Sequence, residues 1–226
     1  MRRKDRYQSY AELCQHEREN RDFCVLIDQR ASPVAVLAPH GGNIERGTSA
    51  LARELAGDDF SLYRFTGMRN QRSRRLHLTS TNFDEPHCLR LLPQHELIVT
   101  VHGCSGEAGA VYIGGLAAEL KSAVFIALRQ AGFGAEIVQT QNGLAGRDPR
   151  NLCNRGRSGQ GLQLELDSAL RRAFFERAKG PRRNRRTPAF HGFIHAVRAV
   201  LDGWVYRRQV DGHWAEHLFE RVDQSE

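Results

Sequence analysis

Short apolar segments of strand length recur through the first three quarters of the chain. They are rich in β-branched and aromatic residues and are bounded by Gly, Pro or Asp, which is typical of β-strands. The pattern predicts strands at residues 22–28, 34–39, 60–65, 76–79, 97–102, 110–113, 135–139 and 162–166.

Apolar residues at helical spacing predict helices between and after these strands. The first of them is expected to begin with Thr48 or Ser49 as its N-cap. Alternation of strands and helices favours an α/β fold, with one mixed central sheet and helices on both faces. The predicted helices span residues 48–55, 116–131, 168–178 and 189–206.

No internal repeat and no Ser/Gly-rich linker divides the sequence. We therefore expect a single domain over residues 1–226, with residues 1–20 as an N-terminal extension and residues 207–226 as a C-terminal tail. The Gly- and Arg-rich stretch 143–161 has little apolar content. It predicts a long loop, and loops of this length inside a compact domain are usually functional.

Composition places the chain among globular proteins, with 40% hydrophobic and 26% charged residues. No apolar run approaches the ~18–20 residues that cross a bilayer. The basic N-terminus is not followed by the apolar segment of a secretory signal, so we expect a cytoplasmic protein that leaves the cell only by lysis. We further expect a monomer that does not enter membranes. The five cysteines form no CxxC pair and are expected to be reduced thiols.

The formal net charge of +7 makes an anionic partner plausible. Two basic runs, residues 69–75 (RNQRSRR) and 179–186 (KGPRRNRR), hold much of the excess. Neither has the interleaved aromatic residues of a base-stacking surface, which weakens the nucleic-acid interpretation. A polyanion that carries carboxylate groups would suit the same charges, and solvated loops would explain each run taken alone.

Two segments predicted as central strands end in the dipeptide His-Gly. His40 follows the apolar run 34–39, and His102 ends the run 97–102. Gly41 and Gly42 allow a sharp turn after His40, and Glu45 follows before the next helix. Open α/β sheets bind ligands at the carboxyl ends of their strands. Two histidines and a glutamate there would form the three-ligand set of an open zinc site, with the fourth position left for water.

Glu165 lies on a third predicted strand, LQLEL, in which leucines alternate with Gln163 and Glu165. A carboxylate on this face, beside an activated water, is suited to general acid–base catalysis. Each feature also has a simpler explanation. A His-Gly pair can be an ordinary turn, Glu45 can be an acid in the first turn of a helix, and Glu165 can lie on the surface.

Four blocks in order resemble the phage poly-γ-glutamate hydrolase family. The blocks are PHGGNIERGTS, LTSTNFDEP, VHG followed by VYIGG, and NLCNRGRSGQGLQLEL, and together they cover about residues 20–200. The resemblance implies a zinc carboxypeptidase-like fold and hydrolysis of the γ-amide bonds of poly-γ-glutamate. It further implies that His40, Glu45 and His102 bind Zn²⁺ and that Glu165 is the catalytic carboxylate.

A polymer with one free α-carboxylate per residue requires a groove lined with cations. We expect Arg155 to stabilise the oxyanion of the reaction or to bind an α-carboxylate in a bidentate manner. Asn154, Arg157 and His77 are further candidates for substrate binding.

Two other functions fit parts of the pattern. A zinc amidohydrolase or carboxypeptidase acting on small N-acyl amino acids or muropeptides would keep the metal site and change the groove. A basic nucleic-acid-binding protein related to phage replication would make the His/Glu set structural and would bind DNA with a steep salt dependence.

Overall fold

The computed structural model describes residues 5–69, 73–139, 143–176 and 185–222. Within these ranges, no helix combines the length and the apolar content that would let it cross a bilayer.

A seven-stranded mixed sheet forms the centre of the fold, in the order β1-β3-β2-β4-β7-β5-β6. Strands β3, β2, β4 and β7 run parallel, β1 pairs antiparallel with β3, and β5 pairs antiparallel with β7 and parallel with β6. A short antiparallel pair, β8 and β9, lies apart from this sheet. The strands are β1 Phe23–Asp28, β2 Val34–Gly42, β3 Ser61–Gly67, β4 Leu97–Gly103, β5 Ala110–Gly114, β6 Gly134–Ile137, β7 Leu162–Leu166, β8 Phe175–Glu176 and β9 Arg185–Arg186.

Helices cover both faces of the sheet, as the α/β prediction required. Helices α2, α4 and α6 contribute to one apolar core, and α1 and α3 contribute to a second core on the opposite face. The α/β class with a mixed sheet is therefore confirmed. The helices are α1 Tyr10–His16, α2 Thr48–Ala56, α3 Pro86–Leu91, α4 Ala118–Gln130, α5 Ser168–Ala173 and α6 Pro188–Val222.

Several predicted elements differ from the structure. The strand predicted at 76–79 is wrong, because a 3₁₀ helix, Ser73–Leu76, occupies its start and irregular backbone follows. The N-cap of α2 is Gly47 in a left-handed conformation, not Thr48 or Ser49. Helix α5 ends at Ala173, since the chain then forms β8.

Both predicted terminal segments belong to regular structure. Tyr7 and Leu13, from the predicted N-terminal extension, are buried in the second core, and Ser9 caps α1. Helix α6 continues to Val222, so the predicted tail is helical as far as the structure describes it. The helical extension was missed because apolar periodicity weakens after Tyr206.

Candidate metal and catalytic site

The carboxyl ends of neighbouring strands carry three buried polar side chains. His40 lies near the end of β2, and His102 lies near the end of β4. In the register of the sheet, His102 pairs with Glu165 of β7. The exposed fractions of His40, His102 and Glu165 are 2%, 2% and 6%. This is the edge at which open α/β sheets place their ligands.

A tight turn brings Glu45 back to the same point. Gly42 has a φ of +64°, and a Cβ there would lie 2.4 Å from the carbonyl oxygen of Gly67, so only glycine fits. The backbone N–H of Glu45 donates to the carbonyl of His40 at 2.9 Å. Its Oε2 accepts a hydrogen bond from the Gly103 N–H at 2.7 Å. Since Glu45 precedes α2, it is not an acid of that helix's first turn.

His40, Glu45 and His102 converge on one point. The Nδ1 of His40 lies 3.1 Å from the Nδ1 of His102 and 3.2 Å from Oε1 of Glu45. Oε2 of Glu45 lies 3.8 Å from the Nδ1 of His102. Ligands of a tetrahedral Zn²⁺ are ~3.3 Å apart, given bonds of about 2.0–2.2 Å. The donor types and their separations therefore fit zinc.

The second nitrogen of each of these imidazoles has a partner. Nε2 of His40 donates to the carbonyl oxygen of Leu78 at 2.8 Å. Nε2 of His102 lies 3.3 Å from the Ser80 hydroxyl. Such contacts fix ring orientation and direct the other nitrogen, here Nδ1, toward a metal.

The electrostatics of the cluster favour an ionised carboxylate. Burial tends to raise the pKa of Glu45, but the adjacent His40, together with His102 and His77, outweighs burial and lowers the pKa of Glu45 well below its usual value. A buried carboxylate that faces imidazole nitrogens is a strong cation-binding arrangement, because a cation would neutralise it.

Glu165 lies beside the cluster and is held by a chain of amides. Gln163 Nε2 donates to Oε1 of Glu165 at 3.2 Å and to the carbonyl of Leu144 at 3.1 Å. Asn151 Nδ2 in turn donates to Oε1 of Gln163 at 2.9 Å. Burial raises the pKa of the Cys104 thiol to about 12, and the nearby negative charge of Glu165 adds to this shift. The amide of Gln163, on the same face of β7, thus orients the carboxylate of Glu165.

His77, predicted to bind substrate, lies within the metal-ligand cluster. Its ring stacks on that of His40 at 4.0 Å between centroids, and its Nε2 lies 3.8 Å from Oε1 of Glu45. His40, Glu45 and His77 therefore offer ligand atoms close enough to share one metal ion. The Nδ1 of His77 lies 2.7 Å from Oδ1 of Asp5, a residue that the sequence pattern did not identify.

The other predicted site residues have different positions. The Asn154 amide is buried: its Oδ1 accepts from the Leu116 and Gly161 N–H groups, and its Nδ2 donates to two loop carbonyls. These bonds give Asn154 a structural role in the predicted loop, and its predicted role in substrate binding stays a prediction.

The structure describes different surroundings for the two predicted arginines, Arg157 and Arg155. The backbone N–H of Arg157 donates to the carbonyl of His95, which precedes β4, at the opposite end of that strand from His102. The predicted role of Arg157 in substrate binding stays a prediction. Arg155 ends the 3₁₀ helix Leu152–Arg155, and its charge lowers the pKa of the Cys88 thiol, which burial raises overall. Its predicted role in catalysis stays a prediction.

The basic run 69–75 has a structural function in its described part. The guanidinium of Arg69 contacts Asp22, with Nε to Oδ1 at 3.0 Å, and Arg75 pairs with Glu17. Both carboxylates are buried. Residues 70–72 and most of the run 179–186 lie outside the described residues.

Arg171 of α5 forms hydrogen bonds to three segments of the site, and the sequence pattern did not identify it. Its guanidinium donates to the carbonyls of Arg46, Cys104 and Leu166, at 2.8, 3.0 and 3.1 Å. These carbonyls belong to the segments that carry Glu45, His102 and Glu165. No motif marks an arginine that acts through backbone carbonyls, so only the fold reveals it.

Sequence comparisons match this chain to known proteins over most of its length. A family model described as poly-gamma-glutamate hydrolase matches residues 7–196. The SPβ prophage-derived UPF0714 protein YoqZ of Bacillus subtilis (strain 168) is 36% identical over 203 residues, covering 89% of this chain and 73% of YoqZ. The UPF0714 protein YmaC of the same strain is 32% identical over 199 residues, covering 88% of this chain and 84% of YmaC.

Solved structures agree with these matches. A bacteriophage poly-γ-glutamate hydrolase superposes with a TM-score of 0.84 at 31% identity, covering 89% of this chain and 98% of that one. An apo, zinc-free form of YndL superposes with a TM-score of 0.82 at 33% identity, covering 88% of this chain and 98% of that one.

Proposed function

We propose that this hydrolase, which belongs to the poly-γ-glutamate hydrolase family, cleaves γ-glutamyl amide bonds of poly-γ-glutamate at the His40–Glu45–His102 cluster. One observation carries the proposal: the Nδ1 atoms of His40 and His102 lie 3.1 Å apart, and each lies within 3.8 Å of a carboxylate oxygen of Glu45. Glu165 lies opposite His102 in the sheet. The site thus combines a metal-ligand set with a separate carboxylate, which is the requirement for metal-assisted hydrolysis.

His40, Glu45 and His102 would hold the metal, and their N, N, O donor set supports zinc. The existence of a zinc-free form of the related YndL supports the same choice. Bound there, Zn²⁺ would supply a Lewis acid for the amide carbonyl and favour deprotonation of the attacking water.

Glu165 acts as the general base and then as the general acid. Its carboxylate takes the proton of the attacking water and passes it to the leaving amine, so that the C–N bond breaks as the new C–O bond is retained. The Gln163 amide donates to one carboxylate oxygen, Oε1, and so orients the carboxylate for this transfer. Burial excludes bulk water from this transfer.

The charge of the chain supports a polyanionic substrate. Poly-γ-glutamate has one free α-carboxylate per residue, and the chain has a formal net charge of +7. Arg155 is the candidate cation for the oxyanion or for a substrate α-carboxylate. Replacing Arg155 with Met should lower kcat if the arginine stabilises the oxyanion. It should raise KM if the arginine binds a substrate α-carboxylate.

The experiment incubates the full chain with poly-γ-glutamate and sizes the products, before and after removal and return of zinc. The Glu165→Gln variant should retain zinc and lose activity by about 10²–10⁴-fold. Glu136→Gln is the matched control, because Glu136 is exposed on β6. Full activity in Glu165→Gln would reject the general-base assignment.

The same assay separates the alternative functions. Cleavage of a short N-acyl glutamate without cleavage of the polymer would favour a small-molecule amidohydrolase. Tight, salt-dependent DNA binding by a chain without hydrolytic activity would favour nucleic-acid binding. Either result would reject the proposed polymer hydrolysis.

A further inference from the structure

The segment before α1 reaches into the proposed metal centre. The Asp5 carboxylate is largely buried, and its Oδ1 lies 2.7 Å from Nδ1 of His77. Its Oδ2 accepts a hydrogen bond from the backbone N–H of Thr79 at 2.6 Å. Asp5 therefore contacts both the ring and the backbone of one short segment, 72 residues away in the chain.

The bond from Asp5 determines what His77 presents to the cluster. A carboxylate only accepts hydrogen bonds, so it keeps a proton on Nδ1 of His77. Nε2 then points its lone pair toward Glu45, whose Oε1 is 3.8 Å away. A carboxylate on one ring nitrogen and a metal on the other is the usual arrangement around a metal-bound histidine.

All three imidazoles of the cluster share this pattern. One ring nitrogen contacts Leu78 in His40, Ser80 in His102 and Asp5 in His77, and the other nitrogen faces Glu45. The partner of His77 is a carboxylate with a full negative charge, which strengthens the donor character of the opposite ring nitrogen, Nε2.

We infer that Asp5 is a positioning residue that holds His77 as a fourth ligand of the metal site. The inference rests on the proposed metal site, but not on the identity of the substrate. It makes the substrate-free site a three-nitrogen, one-oxygen set, and it makes residues before α1 part of the active centre.

His77 is also the ligand best able to give up its place. Its side chain is 34% exposed, against 2% for His40 and 13% for Glu45. It lies on irregular backbone after the 3₁₀ helix Ser73–Leu76, whereas His40 and His102 are fixed in strands. The attacking water or a substrate carbonyl could therefore take the position of His77 without disturbing the sheet.

The test measures metal binding without any substrate. The full chain is stripped of metal and titrated with Zn²⁺ against a chromogenic chelator, and then with Co²⁺, whose visible absorption reports coordination number. His77→Gln should weaken Zn²⁺ binding at least 10-fold and change the Co²⁺ spectrum. Asp5→Asn should weaken binding about 10–100-fold, and Asp5→Glu should restore part of it.

The variants separate positioning from a merely structural role. His77→Gln keeps the bond between Asp5 and the Thr79 N–H, so it tests the ligand without removing the anchor. Asp28→Asn, an exposed aspartate on β1, controls for loss of charge. Wild-type Zn²⁺ affinity and Co²⁺ spectrum in His77→Gln would overturn the inference and return His77 to the candidates for substrate binding. The metal titrations contain no polymer, so their result can be interpreted even if the protein does not hydrolyse poly-γ-glutamate.

Discussion

The two faces of β7 are built from one stretch of five residues and do different work. Leu162, Leu164 and Leu166 are fully buried in the core shared with α2, α4 and α6. Gln163 and Glu165 project from the opposite face, which also carries His102 of the neighbouring β4. Side chains alternate along a strand, so the same backbone that anchors the core also aims the catalytic carboxylate.

The comparison shows why the polar side chains of β7 keep a fixed position. A one-residue slip of β7 would move all three leucines out of the core and both polar residues into it, so burial on one face fixes the register of the other. The apolar face should therefore govern stability, and the polar face should govern metal binding and catalysis. Four predictions test this division, in order of decreasing effect.

His102→Ala on the polar face should abolish tight Zn²⁺ binding and lower activity by more than about 100-fold, because it removes one of the ligands between β2 and β4. Metal analysis after dialysis and the polymer assay measure both effects. Thr100→Val, on the same face of β4 and farther from its end, is the control. Full zinc occupancy in His102→Ala would contradict the ligand assignment.

Leu164→Ala on the apolar face should lower the free energy of unfolding by about 2–5 kcal/mol through loss of buried area and a residual cavity. Urea unfolding measures this change. Leu26→Ala on β1, where the leucine is 43% exposed, should change stability by less than about 0.5 kcal/mol. Folded Leu164→Ala should keep the wild-type KM, and a large change in KM would show that the faces are not independent.

Gln163→Leu should lower kcat about 10-fold, equivalent to about 1.4 kcal/mol, with little change in KM. The variant removes the N–H that orients Glu165 and leaves the metal ligands in place. Steady-state kinetics and metal content measure the two quantities. Gln160→Leu, an exposed position in the preceding loop, is the control. Loss of zinc in Gln163→Leu would place this glutamine in the metal site instead.

Arg171→Lys should weaken Zn²⁺ binding by up to about 10-fold, because an ammonium group cannot reach three carbonyls that a planar guanidinium spans. Chelator competition measures the affinity. The adjacent Arg172→Lys is a close control, since Arg172 is exposed and pairs only with the exposed Glu107 among its described contacts. Equal affinities in the two variants would show that Arg171 does not organise the site.

Much of the candidate site followed from local patterns. Apolar runs that end in His-Gly marked β2 and β4, and the alternation in LQLEL placed Gln163 and Glu165 on one face. Such patterns are readable because burial imposes a strict period on strands. The sequence does not tell which end of β4 the loop 143–161 approaches, so it did not show that the backbone of Arg157 bonds to His95, before the start of that strand.

The missed elements have a common cause. Helices α1 and α3 have seven and six residues, too few to show a helical period. Helix α3 forms because Glu85 accepts from the N–H groups of His87 and Cys88, with Pro86 at its first position. Local capping decides such helices, and apolar periodicity does not report it.

The sequence by itself determined the α/β class, the central strands and the residue types of the site, because these follow from local hydrophobic order. The tertiary structure alone decided which partners meet. Asp5 contacts His77, and Arg171 joins three site segments, through contacts that span 72 and up to 125 residues of chain. Contacts at such separations depend on how the whole chain packs, and no short pattern encodes them.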